Sequence, residues 1–227
     1  MPSSTPTIFI VDHERSVRAS LAALMLSRGW HAESFASAAD FLTRRAIQGP
    51  SCILLDDTLP DADAVALVGR LASERSDMPI IMIAGHGDVP ATVRAMKAGA
   101  VDFLMKPLTD ELVLTAVREA VERSDEALKR EAELRELRAR YASLSGRERQ
   151  VMGLVVAGLL NKQVGGRLGI SEITVKAHRG KVMRKIGADS LAALVSVATV
   201  LQLMPMSVTP ARPFSEPIAS RRITIPR

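Results

Sequence analysis

Aromatic residues are nearly missing. Phe, Trp and Tyr make up 3% of the 227 residues, with a single Trp and a single Tyr. Recognition by stacking bases on aromatic platforms needs several rings close together, so that mode of nucleic-acid binding is disfavoured. Cysteine is scarcer still: Cys52 alone allows no intrachain disulfide and no multi-cysteine zinc site. A reducing, cytoplasmic setting is the simplest expectation. Long apolar runs are also lacking. The most apolar stretch, 191–204, contains Ser196, Thr199 and Gln202, and it is too short and too polar to span a bilayer. The opening MPSSTPTIFIVDHE has no basic segment followed by a long apolar core, so it does not read as a secretory signal. The expectation is a soluble protein with no membrane partner.

Charge is abundant and unevenly placed. Lys and Arg total 30 against 25 Asp and Glu, a formal net charge of +5. Residues 1–124 hold 12 basic and 16 acidic groups, a net of −4, while residues 125–227 hold 18 basic and 9 acidic, a net of +9. Such asymmetry predicts two domains with different partners. Within the basic half, residues 142–205 carry 9 basic and 3 acidic groups, which makes this segment the candidate nucleic-acid surface.

The first half alternates between two periods. Short β-rich runs lie at 7–12, 31–36, 51–56, 79–85 and 101–107, with helix-period segments near 14–28, 38–48, 63–74, 89–98 and 109–124. Five βα units in one domain predict an α/β fold, a parallel sheet with helices on both faces. Residues 125–141 are rich in charged helix formers, with Leu134, Leu137, Tyr141 and Leu144 at 3,4,3 spacing. That spacing suits either a short coiled-coil linker or a solvated linker helix. Residues 142–205 read as four helices. Ser145 and Glu148 form a capping box for the first, Asn161 can cap the second, Ser171 the third, and the fourth follows Ser190. Gly169 and Gly187 mark two of the ends. The proline-rich segment 206–227 has no apolar periodicity and is expected to be a disordered tail.

In an open α/β sheet, functional groups collect at the carboxyl ends of the strands. Here those ends carry Asp12 and His13, Asp56 and Asp57, Ala84, and Lys106 before Pro107. Carboxylates and an ammonium converging on one crevice would be costly unless they paired or held a metal. The wording of IVDHE, LLDDTLPDAD and AGHGDVPATVRAMKAGAVDFLMKP resembles the receiver domain of two-component response regulators, closest to the FixJ-like group. The resemblance implies a flavodoxin-like five-stranded receiver over 1–124. It makes Asp56 the phosphoacceptor, Lys106 the lysine that binds a phosphoryl oxygen, and Ala84 and Phe103 the switch positions. It assigns Asp12, Asp56 and the Thr58 backbone carbonyl to a Mg²⁺ site.

Two departures stand out. His13 replaces the usual acidic metal ligand, removing a negative charge and a hard oxygen, so Mg²⁺ binding is expected to be weak or absent. A pH-sensing or alternative-metal role for His13 is the competing reading. Ala84 lacks the hydroxyl normally present at its position. A smaller departure is Ala64, where the family often has glycine.

The segment LSGRERQVMGLVVAGLLNKQVGGRLGISEITVKAHRGKVMRKIG resembles the LuxR-type helix-turn-helix of NarL/FixJ regulators, over about 142–205. On a helical wheel Val175, Val182 and Ile186 share one face, while Lys176, Ala177, Gly180 and Arg184 lie opposite. The resemblance gives Lys176 and Ala177 base-reading positions. Gly180 sits where some relatives carry a longer contacting residue. Lys162, Arg179, Lys181, Arg184 and Lys185 read as contacts to DNA phosphates. The fourth helix is apolar around much of its circumference, which fits either a dimer interface or core burial. The expected protein is a dimeric, double-stranded-DNA-binding transcription regulator answering to a sensor histidine kinase, with phosphorylation at Asp56 weakened or lost. The alternative makes the receiver a phosphorylation-independent dimerisation or docking module. An aspartate-based phosphatase is disfavoured, because Asp56-Asp57 lacks a spaced second acid and no substrate-cap insertion is present.

Overall fold

The apolar runs form strands β1 (Thr7–Val11), β2 (His31–Phe35), β3 (Ser51–Asp56), β4 (Ile80–Ala84) and β5 (Asp102–Met105) in a computed structural model that describes residues 5–45, 47, 49–85 and 89–203. Every neighbouring pair is parallel, in the order β2-β1-β3-β4-β5, the flavodoxin-like arrangement. Strands β1, β3 and β4 are buried along their full length, as central strands of a doubly covered sheet must be. Side-chain alternation divides the core. Phe9, Val11, Ile53, Leu55 and Met82 face one layer with Phe41 and Val68. Ile8, Ile10, Leu54, Ile81 and Ile83 face the other with Met25 and Val117.

The accompanying helices are α1 (Arg15–Ser27), α2 (Ala38–Leu42), α3 (Ala64–Glu74), α4 (Val89–Ala98) and α5 (Asp110–Ala142). Two of them depart from the sequence reading. Helix α2 stops at Leu42 rather than running toward 48, because Thr43 caps it and the Arg44 guanidinium folds back to lie 3.8 Å over the Phe41 ring. Helix α5 joins the receiver's last helix to the expected linker in one run of 33 residues. No glycine or proline interrupts it. Its junction residue, Ser124, is buried; its hydroxyl donates to the Asp77 carbonyl and accepts from the Ser51 amide. The chain divides into two compact units between Glu133 and Leu134, so α5 contributes to both. The tail expected at 206–227 lies outside the described residues.

The second unit contains α6 (Gly146–Val156), α7 (Asn161–Leu168), α8 (Glu172–Ile186) and α9 (Leu191–Val200). The Ser145–Glu148 capping box is formed, and Ser171 and Ser190 cap α8 and α9. Gly169 and Gly187 end α7 and α8 at φ +66° and +77°, the left-handed conformation glycine adopts without strain. Asn161 is not the cap of α7. The helix begins one residue earlier than read: the Leu160 amide donates to the Gln163 side chain, and Asn161 Oδ1 accepts from Arg179 instead. Val151, Val155, Val164, Val175, Val182, Ile186 and Leu194 make the core. Helix α9 buries Leu194 and Ala198 there and leaves Leu191 and Val200 exposed, so core burial accounts for only part of its apolar surface.

Glu148 is the buried acid of this unit. It accepts from the Lys185 ammonium at 2.7 Å and from the Ser145 amide at 2.8 Å. The Lys185 bond, then the Ser145 amide, hold its carboxyl down at about 2. A carboxyl depressed by folding contributes stability that is complete above its unfolded value and is lost as pH falls through its folded one. The stabilisation from Glu148 is therefore expected to disappear between about pH 4.5 and about 2. Thermal unfolding of the full-length protein across that window should fall more steeply than in Glu148→Gln; equal slopes would remove the assignment.

Candidate functional sites

The crevice forms where strand order reverses. Val11 pairs with Leu55 and Asp56 with Ile83, so the carboxyl ends of β1, β3 and β4 finish level with one another. Asp12 follows β1, Asp56 ends β3, and Lys106 follows β5. The Lys106 ammonium donates to Asp56 Oδ1 at 2.9 Å and to Asp12 Oδ2 at 3.3 Å. His13 Nδ1 lies 2.9 Å from Asp56 Oδ2; a carboxylate only accepts, so Nδ1 is the donor. The Thr58 hydroxyl donates to the same oxygen at 2.7 Å. Burial pushes the Asp56 carboxyl up, but the bonds from Thr58, Lys106 and His13 outweigh it and hold the group below the usual range. Burial pulls the Lys106 ammonium down, and the Asp56 and Asp12 carboxylates more than reverse this. Asp57 points elsewhere. Burial, then repulsion from Asp56, raises its carboxyl, and its Oδ1 is buried without a hydrogen-bond partner among the described residues.

Asp12, His13, Asp56, Thr58 and Lys106 are thus brought together. Ala84 is fully buried at the end of β4, where its carbonyl accepts from the Lys106 amide. Phe103 is half-buried opposite Met82. The sequence pattern points to Thr58 for its backbone carbonyl; its hydroxyl is an additional donor to Asp56. Ligand atoms of Asp12, His13 and Asp56 lie within 4.8 Å of one another. That set does not match Mg²⁺ well. It offers an imidazole nitrogen where a hard oxygen is preferred, and that nitrogen is already bonded to Asp56.

The second site is helix α8. Lys176, Ala177, Gly180, Lys181 and Arg184 are exposed, opposite the buried Val175, Val182 and Ile186. Lys162 is exposed on α7. Arg179 is half-buried against Asn161. Lys185, another of the expected phosphate contacts, has partners within the protein. Its side chain is 39% exposed, and its ammonium is held by Glu148 and the Ser143 carbonyl. On the helical wheel Lys185 lies nine residues, half a rotation, from Lys176, so the two flank the core face on opposite sides. The wheel also places Ile173 between Gly180 and Arg184. Ile173 is 80% exposed, an apolar group suited to a thymine methyl in a major groove. Ile173→Ala is expected to weaken binding most at sites with a thymine there, by about 1 kcal/mol. Binding measured on operators with that thymine changed to uracil should no longer distinguish the variant.

The α/β crevice with its buried aspartate and lysine, followed by a helix-turn-helix with a basic exposed face, defines a signal-receiving DNA-binding regulator. The chain matches the response regulator receiver domain over residues 8–118 and the bacterial regulatory proteins of the luxR family over 142–198. It is 43% identical to Nodulation protein W of Bradyrhizobium diazoefficiens, over 88% of both chains. It is 40% identical to the transcriptional regulatory protein FixJ of the same organism, over 84% of this chain and 93% of that one. Among solved structures, response regulator StyR superposes with TM-score 0.76 at 40% identity, covering 86% of this chain and 99% of that one. Full-length FixJ from B. japonicum gives 0.52 at 38% identity, covering 88% and 98%. The chain belongs to the two-component response regulators that join a receiver to a LuxR-type DNA-binding domain. That family consists of transcriptional regulators rather than enzymes. No helix among the described residues is long and apolar enough to cross a membrane.

Proposed function

We propose that this chain regulates transcription as a DNA-bound dimer in the cytoplasm, and that its receiver takes up phosphate at Asp56 weakly or not at all. The observation that carries this reading is the occupied Asp56 carboxylate. Three of its roughly four lone-pair positions already accept, from Lys106, His13 and Thr58. Acyl phosphate formation needs one carboxylate oxygen to bond phosphorus as the bond from phosphorus to the leaving group breaks. With His13 in the acidic ligand's place, Mg²⁺ binds weakly and Lys106 is left to neutralise the transferring group. Ala84 supplies no hydroxyl for a phosphoryl oxygen. The domain limits that accompany this reading are a receiver over 1–124, a linker helix over 125–141 and a DNA-binding unit over 142–205. A sensor histidine kinase is the signalling partner the receiver family implies.

One observation favours the second reading, in which the receiver is only a dimerisation or docking module. Val93 and Met96 on α4, Met105 on β5 and Leu112 on α5 are all exposed apolar side chains. Incubation with Mg²⁺ and acetyl phosphate, followed by intact-mass measurement, tests the weakened receiver. The expected spectrum is dominated by unmodified protein. Rapid, near-stoichiometric gain of one phosphate, lost in Asp56→Asn, would overturn the reading.

A further inference from the structure

The DNA-binding unit contains a recess that its core does not fill. It has a volume of about 530 Å³ and a floor made by Tyr141, Met152, Val156 and Leu203. A smaller hollow of about 300 Å³ adjoins it, and Arg149 and Arg167 line both. Both arginines are exposed, and neither guanidinium has a hydrogen bond or ion pair among the described residues. Arg147, by contrast, is held by Gln150 and the Leu168 carbonyl. No acidic side chain lines either hollow among the described residues.

Gly153 keeps the recess open. It sits inside α6 with ordinary helical geometry and lines both hollows, and a Cβ there would meet nothing within 4 Å. Glycine in a helix interior costs about 0.5–1 kcal/mol relative to alanine. The position thus forgoes stability in a place where sterics would admit a side chain.

We infer that this recess binds a small organic carboxylate, its apolar body against the Tyr141–Met152 floor and its carboxylate between Arg149 and Arg167. Three features support a ligand of this class. The volume lies within the range of small-molecule sites, and the lining is apolar with a few convergent polar groups, as such sites usually are. Two free guanidiniums with no neighbouring acid match an anion in charge and can pair a carboxylate in bidentate fashion. The lining comes from the end of α5, from α6, α7 and α9 and from Leu203, with no residue of α8. The ligand therefore leaves the basic exposed face of α8 free, and DNA and carboxylate can be held together.

Octanoate is a suitable probe, with 1-octanol as the uncharged control, on the full-length protein carrying ¹³C-methyl methionine. Met152 lies on the floor, and its resonance is assigned by Met152→Leu. Octanoate should shift the Met152 methyl saturably, while 1-octanol should not saturate in the same range. Arg149→Gln with Arg167→Gln should weaken octanoate by about tenfold or more. Gly153→Leu, which fills the recess without opposing helix propensity, should abolish the shift while DNA binding persists. Absence of a saturable shift would overturn the inference, whether the recess is covered by residues beyond Leu203 or reserved for a protein side chain. Equal binding of octanol, or octanoate binding that survives both the arginine pair and Gly153→Leu, would overturn it as well.

Discussion

His13→Asp is expected to raise phosphate uptake at Asp56 in the presence of Mg²⁺, if the proposed weakening comes from His13. In the parent, the imidazole sits 2.9 Å from Asp56 Oδ2, an oxygen of the proposed phosphoacceptor. An aspartate there removes that bond, restores a third carboxylate beside Asp12 and Asp56, and offers a hard oxygen to the ion. Loss of a supporting residue around a metal site costs about 10–100-fold in affinity, so the reverse change should tighten Mg²⁺ by at least the same factor. The variant also packs three carboxylates around one ammonium, which is unfavourable without the ion. Its melting temperature should therefore fall in chelator and climb with added Mg²⁺, because an ion that binds only the folded state stabilises it by mass action. The parent's should respond little. Intact mass after acetyl phosphate treatment gives the second readout: one added phosphate in His13→Asp, none in His13→Asp/Asp56→Asn. Failure of the variant to gain both Mg²⁺ affinity and phosphate would show that His13 is not what weakens this crevice. Ala84→Thr on the same background separates the missing hydroxyl from the missing ligand, since it adds no metal-binding oxygen to the Asp12–Asp56 pair.

The sheet was legible because central parallel strands leave a signature that little else produces. Runs such as Cys52–Leu55 and Ile80–Ile83 are apolar on both faces, and polar residues follow at the carboxyl ends. Once the order of strands is known, Asp12, Asp56 and Lys106 must meet. What sequence does not carry is the orientation of the groups that meet. His13 reads as a missing ligand, and only the structure shows it bonded to Asp56. Thr58 counts as a backbone carbonyl, and its hydroxyl proves to be a donor to Asp56. Helix ends follow the same division. Ser145, Ser171, Ser190, Gly169 and Gly187 signal their ends by local chemistry, whereas Asn161 loses the capping role because Leu160 and Gln163 close that end first. Lys185 shows the opposite weakness. Its position half a rotation from Lys176 is available from helical geometry alone, yet a basic residue near four others on one helix invites a reading by composition rather than by angle.

That difference between Lys176 and Lys185 yields the second large effect. Lys176→Ala is expected to weaken specific DNA binding by about 1–3 kcal/mol, or roughly 5–150-fold, with relaxed preference at one base pair. Among the described residues its ammonium has only the exposed Glu172 carboxylate as a partner, 3.2 Å away one helical turn back, and exposed pairs of this kind contribute little. The side chain is therefore free to move to a base edge. Lys162→Ala should behave differently, weakening operator and unrelated DNA alike and lowering the slope of log K against log salt by about 0.9. Lys185→Ala should leave that slope unchanged, because its charge faces Glu148 rather than DNA. Its effect should appear instead as a lower melting temperature of the DNA-binding unit, since Glu148 would keep a buried carboxylate without its cation. Titrations of the three variants at several salt concentrations, on a footprinted site and on random sequence, distinguish these roles. Equal losses on both DNAs for Lys176→Ala would reassign it to the phosphate backbone. A reduced salt slope for Lys185→Ala would require the ion pair with Glu148 to open on DNA, and α8 would then exchange an internal contact for an external one as it enters the groove.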